Sequence, residues 1–80
     1  MILYKIKDEY KLQRWYTEGV FQLIDTYTEK YMPSFGIDCL WFNLETREKI
    51  NIWDRCMKML SPEESTAFLR ELNLKELGIV

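Results

Sequence analysis

One segment in the middle of this 80-residue chain, "DCLWFNLETREKINIWDRC" at 38–56, constrains the fold most. If residues 46–48 form a three-residue loop, the two sides of the segment pair as an antiparallel hairpin over about 39–53. Cross-strand pairs of matching character each stabilise a hairpin by roughly 0.2–1 kcal/mol. The predicted pairs join apolar with apolar, polar with polar, or charge with opposite charge: Glu45–Lys49, Leu44–Ile50, Asn43–Asn51, Phe42–Ile52 and Trp41–Trp53.

This register also predicts which face of the hairpin is buried. The predicted core face carries Leu40, Phe42, Leu44, Ile50 and Ile52. The other face is polar except for Trp41 and Trp53, so we expect an exposed pair of tryptophans beside Asn43 and Asn51 unless a terminal segment covers it. A helical interpretation of residues 43–60 remains open, because apolar residues in that stretch also recur at helical spacing.

A second pattern predicts a long amphipathic helix over about 9–31. At 100° per residue, most of its apolar side chains fall on one broad arc, and most of its acidic side chains fall opposite. Pro33 and Gly36 are expected to end this helix. Such a helix would be about 35 Å long, which is enough to span the whole domain. Tyr10 and Phe21 would lie on its flank, and Tyr27 and Tyr31 near its end would be partly uncovered.

The two ends of the chain complete the predicted architecture. "MILYKIK" at 1–7 alternates apolar and polar residues, as a strand with one buried face does. Ser61, Pro62 and Glu64 form the capping box that starts a second helix, and the final residues, 74–80, are expected to pack as a tail. The sequence thus predicts a single α+β domain over 1–80, a two-layer β-α-β-β-α arrangement. The alternative is an all-α three-helix bundle.

The residue types present exclude most kinds of catalytic site. The chain has no histidine, and its two cysteines, Cys39 and Cys56, are isolated and lack a partner that could activate them. Two such thiols do not make a zinc site, and no glycine-rich loop could hold phosphates. We therefore expect no catalytic residues, no metal and no cofactor. The polar N-terminus and lack of a long apolar run favour a cytoplasmic protein with reduced thiols.

One cluster supports nucleic-acid binding as an alternative. Four basic residues are interleaved with aromatic rings near the N-terminus, as in proteins that bind single strands: Lys5, Lys7, Lys11 and Arg14. Asp8 and Glu9 dilute this cluster. The acidic pI of about 5.1 also argues against a surface built to neutralise phosphates.

The remaining interpretation is a small, non-catalytic protein-interaction module. Aromatic residues make up 15% of the chain, and rings are enriched at protein–protein contacts. The sequence favours a regulator or inhibitor, of a type common in phages, that docks on a larger protein; a homodimer is the second possibility. The predicted contact residues are Trp41, Trp53, Asn43, Asn51, Phe21, Tyr27 and Tyr31.

Overall fold

The computed structural model describes residues 2–76 and 78. The described chain is α+β, as predicted, and the three-helix bundle is excluded. Its strands and helix are β1 (Tyr4–Ile6), β2 (Phe21–Met32), β3 (Gly36–Asn43), β4 (Lys49–Trp53), β5 (Met57–Met59) and α1 (Pro62–Glu76). Single 3-10 turns lie at Asp8–Tyr10 and Asp54–Cys56.

The five strands form one antiparallel sheet in the order β4-β3-β2-β1-β5. A flat sheet of this order would separate its two edges by about 19 Å, because neighbouring strands lie about 4.8 Å apart. The edge strands are joined only by the turn at Asp54–Cys56. The chain from Trp53 to Met57 can reach at most about 14 Å. The sheet therefore curls towards a barrel.

The curled sheet encloses the main core. Seven buried residues from the strands and the second 3-10 turn make up this core: Ile6, Phe21, Cys39, Trp41, Ile52, Cys56 and Met57. The segment 7–20, which joins β1 to β2, folds back so that Tyr10, Trp15 and Tyr16 pack against these residues. Burial of large rings gives a chain of this size much of its stability.

The predicted helix over 9–31 is wrong. Residues 21–32 form β2, and the part before them is a loop with one 3-10 turn. Gly19 adopts φ 132°, a conformation that only glycine takes readily. A helix cannot continue through this residue, so regular structure is interrupted just before β2. Because five of the twelve residues of β2 are threonine, tyrosine or isoleucine, it pairs well with β3, and this long-range pairing overrides the helical spacing.

The predicted hairpin over 39–53 exists as β3 and β4, but its register is wrong. Trp41 faces Ile50, and Trp53 faces Asp38. The turn is longer than predicted because the side chain of Asn43 accepts hydrogen bonds from the N–H groups of residues 45 and 46. The shift turns Trp41 and Asn43 inward. Leu40 and Phe42, the predicted core residues of β3, turn outward and are only half-buried.

The helix α1 begins as predicted. The Ser61 Oγ accepts from the Glu64 N–H at 3.1 Å, and the Glu64 carboxylate accepts from the Ser61 N–H at 3.3 Å. At the other end, Glu76 pairs with Arg47 at 2.6 Å. The predicted packed tail falls partly on Leu77, Ile79 and Val80, which lie outside the described residues. Within the described chain, no helix has the length and apolar character needed to cross a membrane.

Candidate functional site

Three of the seven predicted contact residues lie in the interior. Phe21, Trp41 and Asn43 are 0%, 2% and 1% exposed. The predicted exposed pair of tryptophans is therefore wrong, because the register separates Trp41 from Trp53 and burial removes Trp41 from the surface. Side chains buried to this degree have no surface to offer to a partner.

Trp41 supports the fold from inside. Its indole Nε1 donates to the Ile52 carbonyl oxygen at 2.9 Å, across the β3–β4 pair. The Tyr4 ring meets it edge to face, with ring centroids 5.0 Å apart. The indole thus joins β1 to the hairpin through a hydrogen bond and an aromatic contact.

Asn43 is a structural residue as well. Its Nδ2 donates to the Glu18 carbonyl oxygen at 3.1 Å, while its Oδ1 accepts from the Glu45 and Thr46 N–H groups at 2.9 and 3.1 Å. Gly19 passes so close that a Cβ there would meet the Asn43 amide at 2.7 Å. One side chain therefore fixes both the end of the 7–20 loop and the turn after β3.

A different group of rings lies at the surface. Tyr10, Trp15, Phe35 and Trp53 are each half-buried and touch in a closed ring, which we call the aromatic quartet. The centroid distances around it are 5.4 Å (Tyr10–Trp15), 6.1 Å (Trp15–Trp53), 4.9 Å (Phe35–Trp53) and 6.3 Å (Tyr10–Phe35). At these separations neighbouring rings are in contact, so the quartet is a packed cluster and not an open cage for a small ligand.

The turn between β2 and β3 brings Phe35 to the quartet. The Ile37 N–H donates to the Asp54 carboxylate at 3.0 Å, and the Arg55 guanidinium donates to the Pro33 carbonyl oxygen at 3.0 Å. Gly36 makes this approach possible, because its φ of 90° favours glycine and any Cβ would collide with Asp54. At its Phe35 side, the quartet is thus held by hydrogen bonds between the side chains of Asp54 and Arg55 and the backbone of the β2–β3 turn.

Leu12 is the most exposed large apolar residue in the described part of the chain. It lies in the tight turn closed by the hydrogen bond from the Gln13 N–H to the Tyr10 carbonyl oxygen, between two rings of the quartet. Its side chain is 99% exposed. A leucine in this position contributes almost nothing to the core.

Of the other predicted contact residues, only Trp53 belongs to the quartet. Tyr27 is half-buried, and Tyr31 and Asn51 are exposed. Tyr31 is one of four large apolar residues of β2 that are exposed: Leu23, Ile24, Tyr31 and Met32. Trp15 and Phe35 are not identified from the sequence as surface residues. The one signal for Trp15 is Gly19: if this glycine is taken as the end of regular structure, the ring-rich segment before it is recognised as a loop.

The basic residues of the nucleic-acid alternative do not form a purely positive patch. Lys11 pairs with Asp8 at 4.0 Å, and both side chains are largely exposed. A shallow groove contains Lys5 and Lys11, but its lining also includes Asp8, Glu18 and Glu45. Carboxylates in the same groove oppose the approach of phosphates.

Both cysteines are free and buried, and Cys56 lies next to Tyr10 of the quartet. Burial raises the pKa of the Cys39 thiol, and the carboxylates of Asp54 and Asp38 raise it further. Burial also raises the pKa of Cys56, although a hydrogen bond from the Tyr10 hydroxyl partly offsets the shift. Since the thiolate is the reactive form, both thiols are expected to be inert in the folded protein.

The raised thiol pKa values predict a loss of stability in alkaline solution. The unfolded chain releases these protons near the ordinary pKa of 9.0, whereas the folded chain retains them to higher pH. The contribution of the two thiols to the free energy of unfolding should therefore be constant below about pH 8 and fall as the pH rises through 9 towards the folded pKa values. Urea unfolding at a series of pH values measures this, and Cys39→Ala should make the decline shallower. A decline that is unchanged in Cys39→Ala and Cys56→Ala would contradict this origin.

Comparisons with known proteins give no relative: no protein-family model, curated protein or solved structure matches this chain. Among residues 2–76 and 78, no group of three or more side chains suited to holding a metal ion is found.

Proposed function

We propose that this protein is a small, non-catalytic docking module, a regulator or inhibitor that binds a larger protein through the aromatic quartet and Leu12. The observation that carries the proposal is the fully exposed Leu12 in the turn between two half-buried rings. Tryptophan and tyrosine are among the residues that contribute most of the binding energy at protein–protein contacts. Rings that already pack against one another also lose little conformational entropy when a partner binds.

The geometry of the surface supports a protein partner. The quartet draws Tyr10 and Trp15 from the loop before β2, Phe35 from the β2–β3 turn and Trp53 from the end of β4. These segments are held by backbone hydrogen bonds, including the one from the Arg55 N–H to the Phe35 carbonyl oxygen at 3.2 Å. A pre-organised, shallow and apolar surface suits another protein's side chains better than a small molecule, which needs a concave site.

Substituting Leu12 tests this proposal without disturbing the fold. Leu12→Ser should change the free energy of unfolding by no more than about 0.5 kcal/mol, because the side chain is 99% exposed. The same substitution should strongly reduce the amount of partner retained from a lysate of the native host. Met59→Ser is the matched control, since Met59 is also exposed but lies on β5. A partner retained equally by both variants would contradict docking at the quartet.

A homodimer is the second candidate, and the exposed apolar surface of β2 favours it. Four large apolar side chains stand out on this one strand, which pairs with β1 only at Phe21. Two copies could cover these surfaces by packing them together. Light scattering over a micromolar dilution series separates the two candidates by giving the mass in solution. A dimer that Ile24→Lys converts to a monomer would identify β2 as the dimer interface.

A further inference from the structure

The helix α1 is attached to the sheet much less firmly than the strands are attached to one another. Of its fifteen residues, only Ser65 is buried. Its apolar residues remain half-buried: Phe68, Leu69, Leu72 and Leu74. The only described ion pair that joins the helix to the sheet, Arg47–Glu76, is between side chains that are 68% and 48% exposed. Exposed pairs of this kind contribute little to stability.

Two residues that would be costly to expose lie next to the start of the helix. Leu3 and Leu60 are 0% and 8% exposed but are not part of the main core. They lie where the Leu60 N–H donates to the Leu3 carbonyl oxygen, immediately before the helix begins. Near that point the Glu64 carboxylate lies close to Lys5 and Lys58, and at its far end the helix reaches Arg47 beyond β3. The helix thus crosses the sheet from β1 and β5 to the β3–β4 turn.

We infer that α1 is a strap that opens from the sheet as one unit, hinged between Leu60 and Ser61, while the sheet and its core stay folded. Elements with few buried side chains open at lower free energy than the core. The capping box lies within the helix and its first turn, so it can persist in the open form. Opening would uncover Leu3 and Leu60 together with the apolar side of the helix, which is a surface that the closed form hides.

A thiol placed on the strap tests this inference against two internal references. Ser65→Cys is nearly isosteric and puts a third thiol on the buried side of α1, whereas Cys39 and Cys56 lie in the main core. Under native conditions the introduced thiol should react with a disulfide reagent at least tenfold faster than either natural thiol. Its rate should rise with urea, but less steeply than the rates of the core thiols, because opening the strap exposes less surface than global unfolding.

A second substitution shows whether the attachment at Arg47 controls the opening. Arg47→Met in the Ser65→Cys background should speed reaction of the introduced thiol by about two- to fivefold and leave Cys39 and Cys56 unchanged. Lys11→Met, which removes the exposed Lys11–Asp8 pair elsewhere, should have no effect. The inference is overturned if all three thiols react at one rate with one urea dependence. It is equally overturned if the introduced thiol reacts without any urea dependence, since that would show reaction without opening.

Discussion

Trp41→Ala is expected to lower the free energy of unfolding by about 3–5 kcal/mol, the usual cost of removing a large buried ring. Trp41 is 2% exposed, and the substitution also removes the hydrogen bond to the Ile52 carbonyl oxygen and the edge contact with Tyr4. A domain of this size has a total stability of only about 4–12 kcal/mol. The variant should therefore be marginally folded at room temperature, as measured by urea unfolding.

Two further variants separate the parts of this effect. Trp41→Phe keeps a ring in the core but loses the Nε1 donor, so it should cost less than Trp41→Ala. Tyr31→Ala removes a ring that is 57% exposed on β2. It should lower the free energy of unfolding by well under half as much as Trp41→Ala does. If Trp41→Ala had the same free energy of unfolding as the native protein, this would contradict the register in which Trp41 faces Ile50 and points inward.

Asn43→Ala should produce the second large effect, a loss of about 2–4 kcal/mol. The substitution leaves the Glu18 carbonyl oxygen and the Glu45 and Thr46 N–H groups without their partner. Unsatisfied polar groups with restricted access to water each cost about 1–3 kcal/mol. The midpoint of urea unfolding measures the loss.

Asn51→Ala is the matched control for Asn43→Ala. Asn51 lies on β4 and is exposed, so its substitution should change stability by no more than about 0.5 kcal/mol. Asn43→Asp should fall between the two, because it keeps the acceptor oxygen but loses the donor to the Glu18 carbonyl oxygen. Equal stabilities of Asn43→Ala and Asn51→Ala would show that the Asn43 hydrogen bonds do not hold the turn.

The sequence predicts those features whose cause is local. The capping box around Ser61 is recognisable because its two hydrogen bonds join residues three apart. The β3–β4 hairpin is recognisable because its strands are adjacent in the chain. Its register is not, since a side-chain contact from Asn43 sets the length of the turn. A shift of three residues then reverses which face of β3 is buried.

The features that the sequence does not predict depend on contacts between distant segments. Residues 21–32 carry an apolar pattern that suits both a helix and a strand, and pairing with β3 decides between them. The aromatic quartet joins rings up to 43 positions apart, from Tyr10 to Trp53. No spacing along the chain marks such a group, because the curled sheet and the loop before β2 assemble it.

Calorimetry with the partner captured from the host tests the central claim most directly. The dissociation constants of the native protein, Leu12→Ser and Met59→Ser are to be compared under identical conditions. Docking through the quartet predicts that Leu12→Ser binds at least about tenfold more weakly, which corresponds to about 1.4 kcal/mol, and that Met59→Ser binds within about twofold of the native protein. Equal dissociation constants for all three proteins would contradict the proposed docking surface.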